Sequence, residues 1–138
     1  MAKLNPNKLT LDALRIAGWV AAPVEQWVPH TAIRRDLFGF LDILAVKGVV
    51  TLGIQATSRG NVADRMKKVM THENFPAVAI AGWKVEVWGW DKQKMGRRVH
   101  FRLRREKCDL DHTLLIQVLK DIDLAQQWDY GLPLRDTP

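Results

Sequence analysis

The sequence is poor in the residues that build several common kinds of site. It contains a single cysteine, Cys108, which excludes an intrachain disulfide and a zinc site made of several cysteines. It has no HExxH motif and no glycine-rich phosphate loop, and offers no candidate for serine, cysteine or zinc chemistry. No apolar run approaches the roughly 20 residues that span a bilayer, and the first ten residues lack the apolar core of a secretory signal. We therefore expect a cytoplasmic protein without a membrane-spanning segment.

What is present is an ordinary globular composition with a surplus of positive charge. Hydrophobic residues make up 47% of the 138 residues, which predicts a single domain over residues 1–138. The net charge of +6 favours polyanionic partners. Tryptophans and basic residues share one predicted hairpin, which is typical of a nucleic-acid surface, although a basic hairpin can also serve solubility alone. The residues that we assign to nucleic-acid contact there are Lys92, Lys94, Arg97, Arg98, Arg102 and Arg104.

Apolar periodicity predicts the order helix, three strands, helix, two strands, helix, which is of the α/β type. The first helix is expected over about 11–17 with Thr10 as its cap, and the second helix begins at Asn61. The predicted strands cover 24–28, 37–46, 49–57, 77–90 and 99–105, with a loop over 30–36. We expect a core over about 11–90, then the basic hairpin and a C-terminal helix over 91–125, and a loose tail over 126–138.

Polar side chains interrupt the most apolar part of the chain, the hairpin of residues 41–58. Residues that oppose each other in an antiparallel pair have numbers with a constant sum, and a turn at 48–49 pairs Asp42 with Gln55. Because side chains alternate between faces, Thr57 shares the face of Gln55. Clustered oxygen donors suit a hard divalent cation, which can activate water against a phosphodiester. The alternative is that Asp42 and Gln55 hydrogen-bond only to each other and to the backbone.

Two short motifs give this hairpin a family resemblance. Leu41-Asp42 matches a "PD" pair, and Gln55-Ala56-Thr57 stands where an "ExK" motif follows on the next strand. The stretch of about 11–90 resembles the PD-(D/E)XK nuclease superfamily, particularly its Holliday-junction resolvase-like and phage-encoded branches. The resemblance implies a central mixed β-sheet flanked by helices, with a restriction-endonuclease-like core of order α-β-β-β-α-β and its last strand around 77–80. It also implies a Mg²⁺- or Mn²⁺-dependent endonuclease that acts on branched or structured DNA as a homodimer.

This chain departs from the family motif at two positions. Gln55 replaces the acidic metal ligand by a neutral carbonyl oxygen, and Thr57 replaces the lysine that positions the attacking water. Family members move such groups to neighbouring elements, and Arg65 and Lys68, three residues apart on the second helix, are the candidates to replace the lysine. A solvated helix face is the alternative for both. Asp42, Gln55, Thr57, Arg65 and Lys68 are thus the catalytic candidates, together with one further acid.

A second carboxylate can restore the charge that Gln55 lacks. We favour Glu25 over Asp36 as the metal ligand that joins Asp42 and Gln55, because Asp36 adjoins two arginines that could hold it in a surface ion pair. Those arginines, Arg34 and Arg35, present planar donor groups suited to a DNA phosphate. The alternative is that they are solvent-exposed loop residues without a binding role.

The two departures leave other classes of function open beside the nuclease. One alternative is a degenerate nuclease-fold module that binds nucleic acid or a protein partner without cutting. The other is a structural or inhibitory protein that uses a tryptophan-rich sheet, with six tryptophans in the chain. Metal-dependent cleavage and salt-sensitive binding distinguish these possibilities.

Overall fold

The computed structural model describes residues 3–31, 33–111, 113, 115–117 and 120. Its helices are α1 (Pro6–Ile16), α2 (Val62–Met70) and α3 (Phe75–Ile80), with a 3₁₀ turn at Arg59–Asn61 directly before α2. Its strands are β1 (Val20–Pro23), β2 (Gln26–Val28), β3 (Ile33–Arg35), β4 (Ile43–Lys47), β5 (Val50–Ser58), β6 (Lys84–Met95) and β7 (Arg98–Lys107). None of the helices in the described ranges is long and apolar enough to cross a membrane.

Five strands form one mixed sheet in the order β1-β4-β5-β6-β7, and β2 pairs with β3 in a separate two-stranded ribbon. Within the sheet, β5 and β6 are parallel and the other neighbours are antiparallel. A parallel pair needs a long crossover connection, and α2 and α3 lie in that connection. The predicted α/β class, with a central mixed sheet flanked by helices, is confirmed.

The sheet buries apolar side chains on both of its faces. On one face, Leu14 of α1 belongs to a core that includes Ile43 and Ile54. On the other face, α2 and α3 contribute Val69 and Phe75 to a second core. Because side chains alternate along a strand, Ile54 enters the first core and its neighbour in β5, position 55, faces the side of α2.

Gly89 of β6 lies directly under the beginning of α2. A Cβ atom at this position would fall 2.2 Å from Val62 Cγ2 and 2.9 Å from Arg59 Cα. Neither neighbour can yield easily, since Val62 is fully buried and the Arg59 atom is backbone. We therefore expect Gly89→Ala to lower the free energy of unfolding by about 1–3 kcal/mol, measured by urea denaturation.

The matched control for this substitution is Gly60→Ala. A Cβ atom at Gly60 would meet nothing within 4 Å, so this variant should stay within about 0.5 kcal/mol of the original protein. An equal loss of stability in the two variants would show that close packing at Gly89 is not the cause.

The first helix begins earlier than expected, and Thr10 is not its cap. Asn5 caps α1, since its Oδ1 accepts from the Lys8 backbone N–H at 3.2 Å and Pro6 occupies the first turn. Thr10 lies inside the helix, fully buried, and its hydroxyl accepts a 2.9 Å hydrogen bond from Trp90 Nε1. The polar residue that looked like a cap instead joins α1 to the sheet.

Several predicted strands differ from the observed ones. Strand β1 was not predicted, the 24–28 strand is reduced to β2, and the 30–36 loop contains β3. The 37–46 strand begins only at Ile43, because residues 37–41 close a tight loop. The predicted strand around 77–80 is wrong, since these residues belong to α3. The predicted C-terminal helix lies largely outside the described residues, and the tail over 126–138 lies entirely outside them.

Candidate metal centre

Asp42 and Gln55 meet at the end of the β4–β5 pairing, as their spacing predicted. The observed register pairs Ile43 with Ile54, a sum of 97, and the Asp42 backbone N–H donates to the Ile54 carbonyl at 2.9 Å. Gln55 Nε2 donates to Asp42 Oδ2, which also accepts from the Ala56 backbone N–H at 2.9 Å. Both side chains are almost completely buried. The predicted convergence of an acid and an amide is confirmed.

A tight loop over residues 36–41 brings a second acid, Asp36, beside Asp42. The Leu37 N–H donates to the Leu41 carbonyl at 2.9 Å, and the Gly39 N–H donates to the Asp36 carbonyl at 3.0 Å. Gly39 is required here, because its φ is +92° and a Cβ atom would fall 2.4 Å from His72 Nε2. The loop therefore reverses the chain within a few residues, so that Asp42 follows it at a position close to Asp36.

Glu25 completes a group of three acids that we call the carboxylate cluster: Glu25, Asp36 and Asp42. One carboxylate oxygen of each lies within 4.8 Å of the other two. Glu25 accepts from Asn7 Nδ2 at 3.0 Å and lies 3.5 Å from Arg34 Nη1, whereas Asp36 lies 3.9 Å from Lys68 Nζ. The sequence leaves Glu25 and Asp36 as alternative ligands, whereas the structure brings both of them beside Asp42.

Burial and the neighbouring acids change the protonation of Asp42. Burial, together with a hydrogen bond to Asp36 and the charge of Asp36, raises the pKa of Asp42 from 3.8 to about 8. The N–H of Ala56 opposes this shift, and Glu25 adds to it. At neutral pH, Asp42 is therefore mostly protonated in the cation-free protein, and a bound cation would displace its proton.

The carbonyl oxygen of Gln55 has no hydrogen-bond partner in the described part of the chain, although it is buried. A buried, unsatisfied carbonyl lowers the stability of the fold by about 1–3 kcal/mol, so a bound ligand that contacts this oxygen would remove the cost. Gln55 lines an open pocket of about 360 Å³ together with the whole carboxylate cluster. Three carboxylates and one carbonyl form a set of oxygen donors only, which fits Mg²⁺ or Mn²⁺.

Positively charged side chains lie near the carboxylate cluster. Two of them, Arg65 and Lys68, are the residues that the family resemblance offered in place of the lysine. Arg65 of α2 lines the same pocket as Asp42. Lys68 contributes to an adjoining pocket of about 340 Å³, which we call the basic pocket; its lining is Arg34, Arg35, Asp36, Gly39 and Lys68. Thr57 is buried and does not line either pocket. Four predicted basic residues thus lie at the site, and Thr57 does not.

The predicted basic hairpin is formed by β6 and β7, and part of its charge is already paired. Arg102 contacts both carboxylate oxygens of Asp91, at 2.9 and 2.6 Å, and Arg104 contacts Glu106 at 3.0 Å. Exposed positive charge also gathers around the turn of the hairpin, at Lys94, Arg97 and Arg98. Lys92, Arg102 and Arg104 line a shallow pocket of about 640 Å³ with Ser58 and Arg59, where β5 ends. A role of this surface in nucleic-acid contact stays a prediction.

The residue that sequence reasoning missed is Asn7, which holds Glu25 through a hydrogen bond between distant parts of the chain. Its position in the first turn of α1 gave no signal, because the predicted helix began later.

Comparisons of the chain with protein-family models, with curated proteins and with solved structures found no significant match.

Proposed function

We propose that this chain is a Mg²⁺- or Mn²⁺-dependent endonuclease that cleaves phosphodiester bonds in DNA. The observation that carries the proposal is the carboxylate cluster with the unsatisfied carbonyl of Gln55 beside it in one pocket. Surface acids are often clustered by chance. A buried carbonyl that has no partner in the described part of the chain, next to an acid whose pKa is raised to about 8, supports a site built for a cation.

The connectivity of the sheet supports a core of the PD-(D/E)XK kind. The order α1, β1, β4, β5, α2, β6 follows the family order α-β-β-β-α-β, with β6 parallel to β5. In this interpretation the β2–β3 ribbon is an insertion between the first two core strands. The strand that follows the central helix is then β6, and not the segment around 77–80.

Each acid has a defined part in the proposed site. Asp42, Asp36 and Glu25 would hold the cation together with the Gln55 carbonyl, and the bound cation would supply Lewis acidity and an activated water. Asn7 and Arg34 orient the Glu25 carboxylate through its two oxygens. Asp36 restores the negative charge that the family places at the position of Gln55.

Arg65 is our candidate for the task of the missing lysine. It lines the pocket of Asp42 and would donate to the phosphate oxygens as negative charge develops on them. Lys68 is the weaker candidate, because it lies near Asp36 and faces the basic pocket. We assign no chemical step to Thr57, because it does not line the pocket.

The basic pocket supports a phosphate-containing substrate. Arg34, Arg35 and Lys68 bring three positive charges next to the carboxylate cluster, and Arg34 and Asp36 line both pockets. A phosphodiester could therefore contact the cation on one side and guanidinium groups on the other. The β6–β7 hairpin would hold a more distant part of the DNA backbone.

Cleavage of labelled single-stranded, duplex and branched DNA in Mn²⁺, in Mg²⁺ and in EDTA tests the proposal. We expect cation-dependent cleavage that falls at least about 100-fold in Asp36→Asn, since one ligand charge is lost. Asp109→Asn, an exposed acid elsewhere on the chain, is the matched control and should cleave normally. Salt-sensitive DNA binding without cleavage in either cation would refute the nuclease and favour the non-cutting module, which the replacement by Gln55 also suits.

A further inference from the structure

The β2–β3 ribbon exposes a tryptophan where the fold gives no reason for exposure. The side chain of Trp27 is 57% exposed, whereas Trp88 and Trp90 of the sheet are 4% and 7% exposed. The indole N–H groups of those two donate to Glu86 and Thr10. These tryptophans are therefore accounted for by packing, and Trp27 is not.

The ring of Trp27 is joined to the candidate metal centre through Arg34. The two residues oppose each other in the ribbon, and the Arg34 guanidinium carbon lies 5.8 Å from the ring centroid. The same guanidinium lies 3.5 Å from Glu25, which precedes Trp27 by two residues, at most about 7 Å along the chain. Arg34 thus contacts the exposed ring of Trp27, lies beside Glu25 of the carboxylate cluster and lines the basic pocket.

We propose that Trp27 and Arg34 form a stacking platform for one unpaired nucleobase beside the phosphate that is cleaved. An indole face stacks on any base, and the flanking positive charge of Arg34 and Arg35 complements the nucleic-acid backbone. In an intact duplex both faces of a base are covered, so only an unpaired or flipped base can reach the ring. The substrate class is therefore single-stranded or branched DNA, an inference that rests on the proposed function for the neighbouring phosphate.

Charge favours a nucleic acid over an apolar protein partner on this ribbon. Arg34 is exposed and lies opposite Trp27 on the same face of the ribbon, whereas the exposed Arg35 follows it in β3 and faces the other side by strand alternation. The exposed Ile33 lies opposite Val28, on the other face of the ribbon by strand alternation. The face of Trp27 thus presents one aromatic ring beside the guanidinium of Arg34, rather than a continuous apolar patch.

Fluorescence anisotropy with labelled dT20 and with a 20-base-pair duplex, both in EDTA, tests the platform without cleavage. We expect the protein to bind dT20 more tightly than the duplex, and Trp27→Ala to weaken binding of dT20 by about 5- to 100-fold. Trp27→Phe should recover most of this loss, because a phenyl ring also stacks. Ile33→Ala, on the opposite face of the ribbon, is the control and should bind dT20 normally.

The outcomes separate this inference from the proposed function. Equal weakening of dT20 and duplex binding in Trp27→Ala, or no weakening, would overturn the platform whether or not the protein cleaves DNA. Equal or weaker binding of dT20 relative to the duplex by the original protein would also overturn it. Selective loss of dT20 binding without Mn²⁺-dependent cleavage would support the platform and refute the nuclease.

Discussion

Replacement of Asp42 by asparagine is expected to abolish Mn²⁺-dependent cleavage and, without cation, to make the protein more stable. The asparagine Oδ1 can accept the hydrogen bonds that Asp42 Oδ2 now accepts from Gln55 and Ala56. Its Nδ2 can then donate to the carboxylates of Glu25 and Asp36, which lie within reach. A central ligand charge is lost, so the cleavage rate should fall by about 1,000-fold or more.

The gain in stability should increase with pH. Burial and the nearby Asp36 raise the pKa of Asp42 to about 8 in the folded protein, compared with 3.8 for an ordinary aspartate. Between these values the unfolded chain has released a proton that the folded chain keeps. The free energy of unfolding of the wild type should therefore fall by about 1.4 kcal/mol per pH unit relative to that of Asp42→Asn. The total difference should be on the order of 5 kcal/mol and should be constant above about pH 8.

Urea unfolding of both proteins in EDTA from pH 5 to 9 measures this difference, since other titrating groups largely cancel between them. Saturating Mn²⁺ should raise the stability of the wild type and leave Asp42→Asn nearly unchanged. A stability difference that does not vary with pH would contradict the raised pKa. A large Mn²⁺ effect in the asparagine variant would show that the cation binds elsewhere.

The meeting of Asp42 and Gln55 could be predicted because it depends on local rules. Strand alternation fixes the faces of the two residues, and the position of the turn fixes the pairing sum. The same rules predicted the β6–β7 hairpin, where basic residues alternate with Val99, Phe101 and Leu103. Pairing between consecutive strands needs no knowledge of the rest of the fold.

The contribution of Asp36 could not be predicted from such rules. Its loop contains Phe38 with a φ of +56°, a conformation that few non-glycine residues adopt without outside support. Asn74 supplies support from 36 residues away, through a 3.1 Å hydrogen bond from its Nδ2 to the Phe38 carbonyl. Residues that are remote in sequence therefore set the geometry that joins Asp36 to Asp42.

The segment at 75–80 shows how an apolar run without a clear period is misread. Its β-branched residues suit a buried strand, but its alanines are strong helix formers and Pro76 stands at the first turn of α3, where proline is favoured. Phe75 and Val78, three residues apart, are the buried residues of this helix. Tertiary burial of one helical face overrides the preference of single residues for a strand.

Gln55 marks the largest departure from the nuclease motif, and the structure gives it a physical reason. Its Nε2 donates to Asp42 Oδ2, a hydrogen bond that a carboxylate at this position could not donate, and a carboxylate would add charge beside the acids that already raise the pKa of Asp42. Asp36 already provides a third acid in the cluster. The amide therefore keeps a carbonyl oxygen at the site while it limits the charge that the folded chain must bury.

Gln55→Glu should reverse this balance and make the fold depend on the cation. Without cation, the variant adds a fourth acid to the site and lacks the hydrogen bond that Gln55 donates to Asp42. Its free energy of unfolding should therefore be lower by about 3 kcal/mol. With Mn²⁺ bound, the added charge faces the cation. The Mn²⁺ concentration for half-maximal stabilisation should then fall at least about tenfold relative to the wild type.

Thermal unfolding over a Mn²⁺ titration measures both effects, and Gln93→Glu is the matched control. Gln93 is exposed on β6, so this variant makes the same change of charge away from the cluster and should follow the wild type. Since the carbonyl of Gln55 lacks a hydrogen-bond partner among the described residues, its replacement must alter cation affinity if the cation contacts it. Equal Mn²⁺ dependence in wild type and Gln55→Glu would exclude that contact and leave the three acids as the whole site.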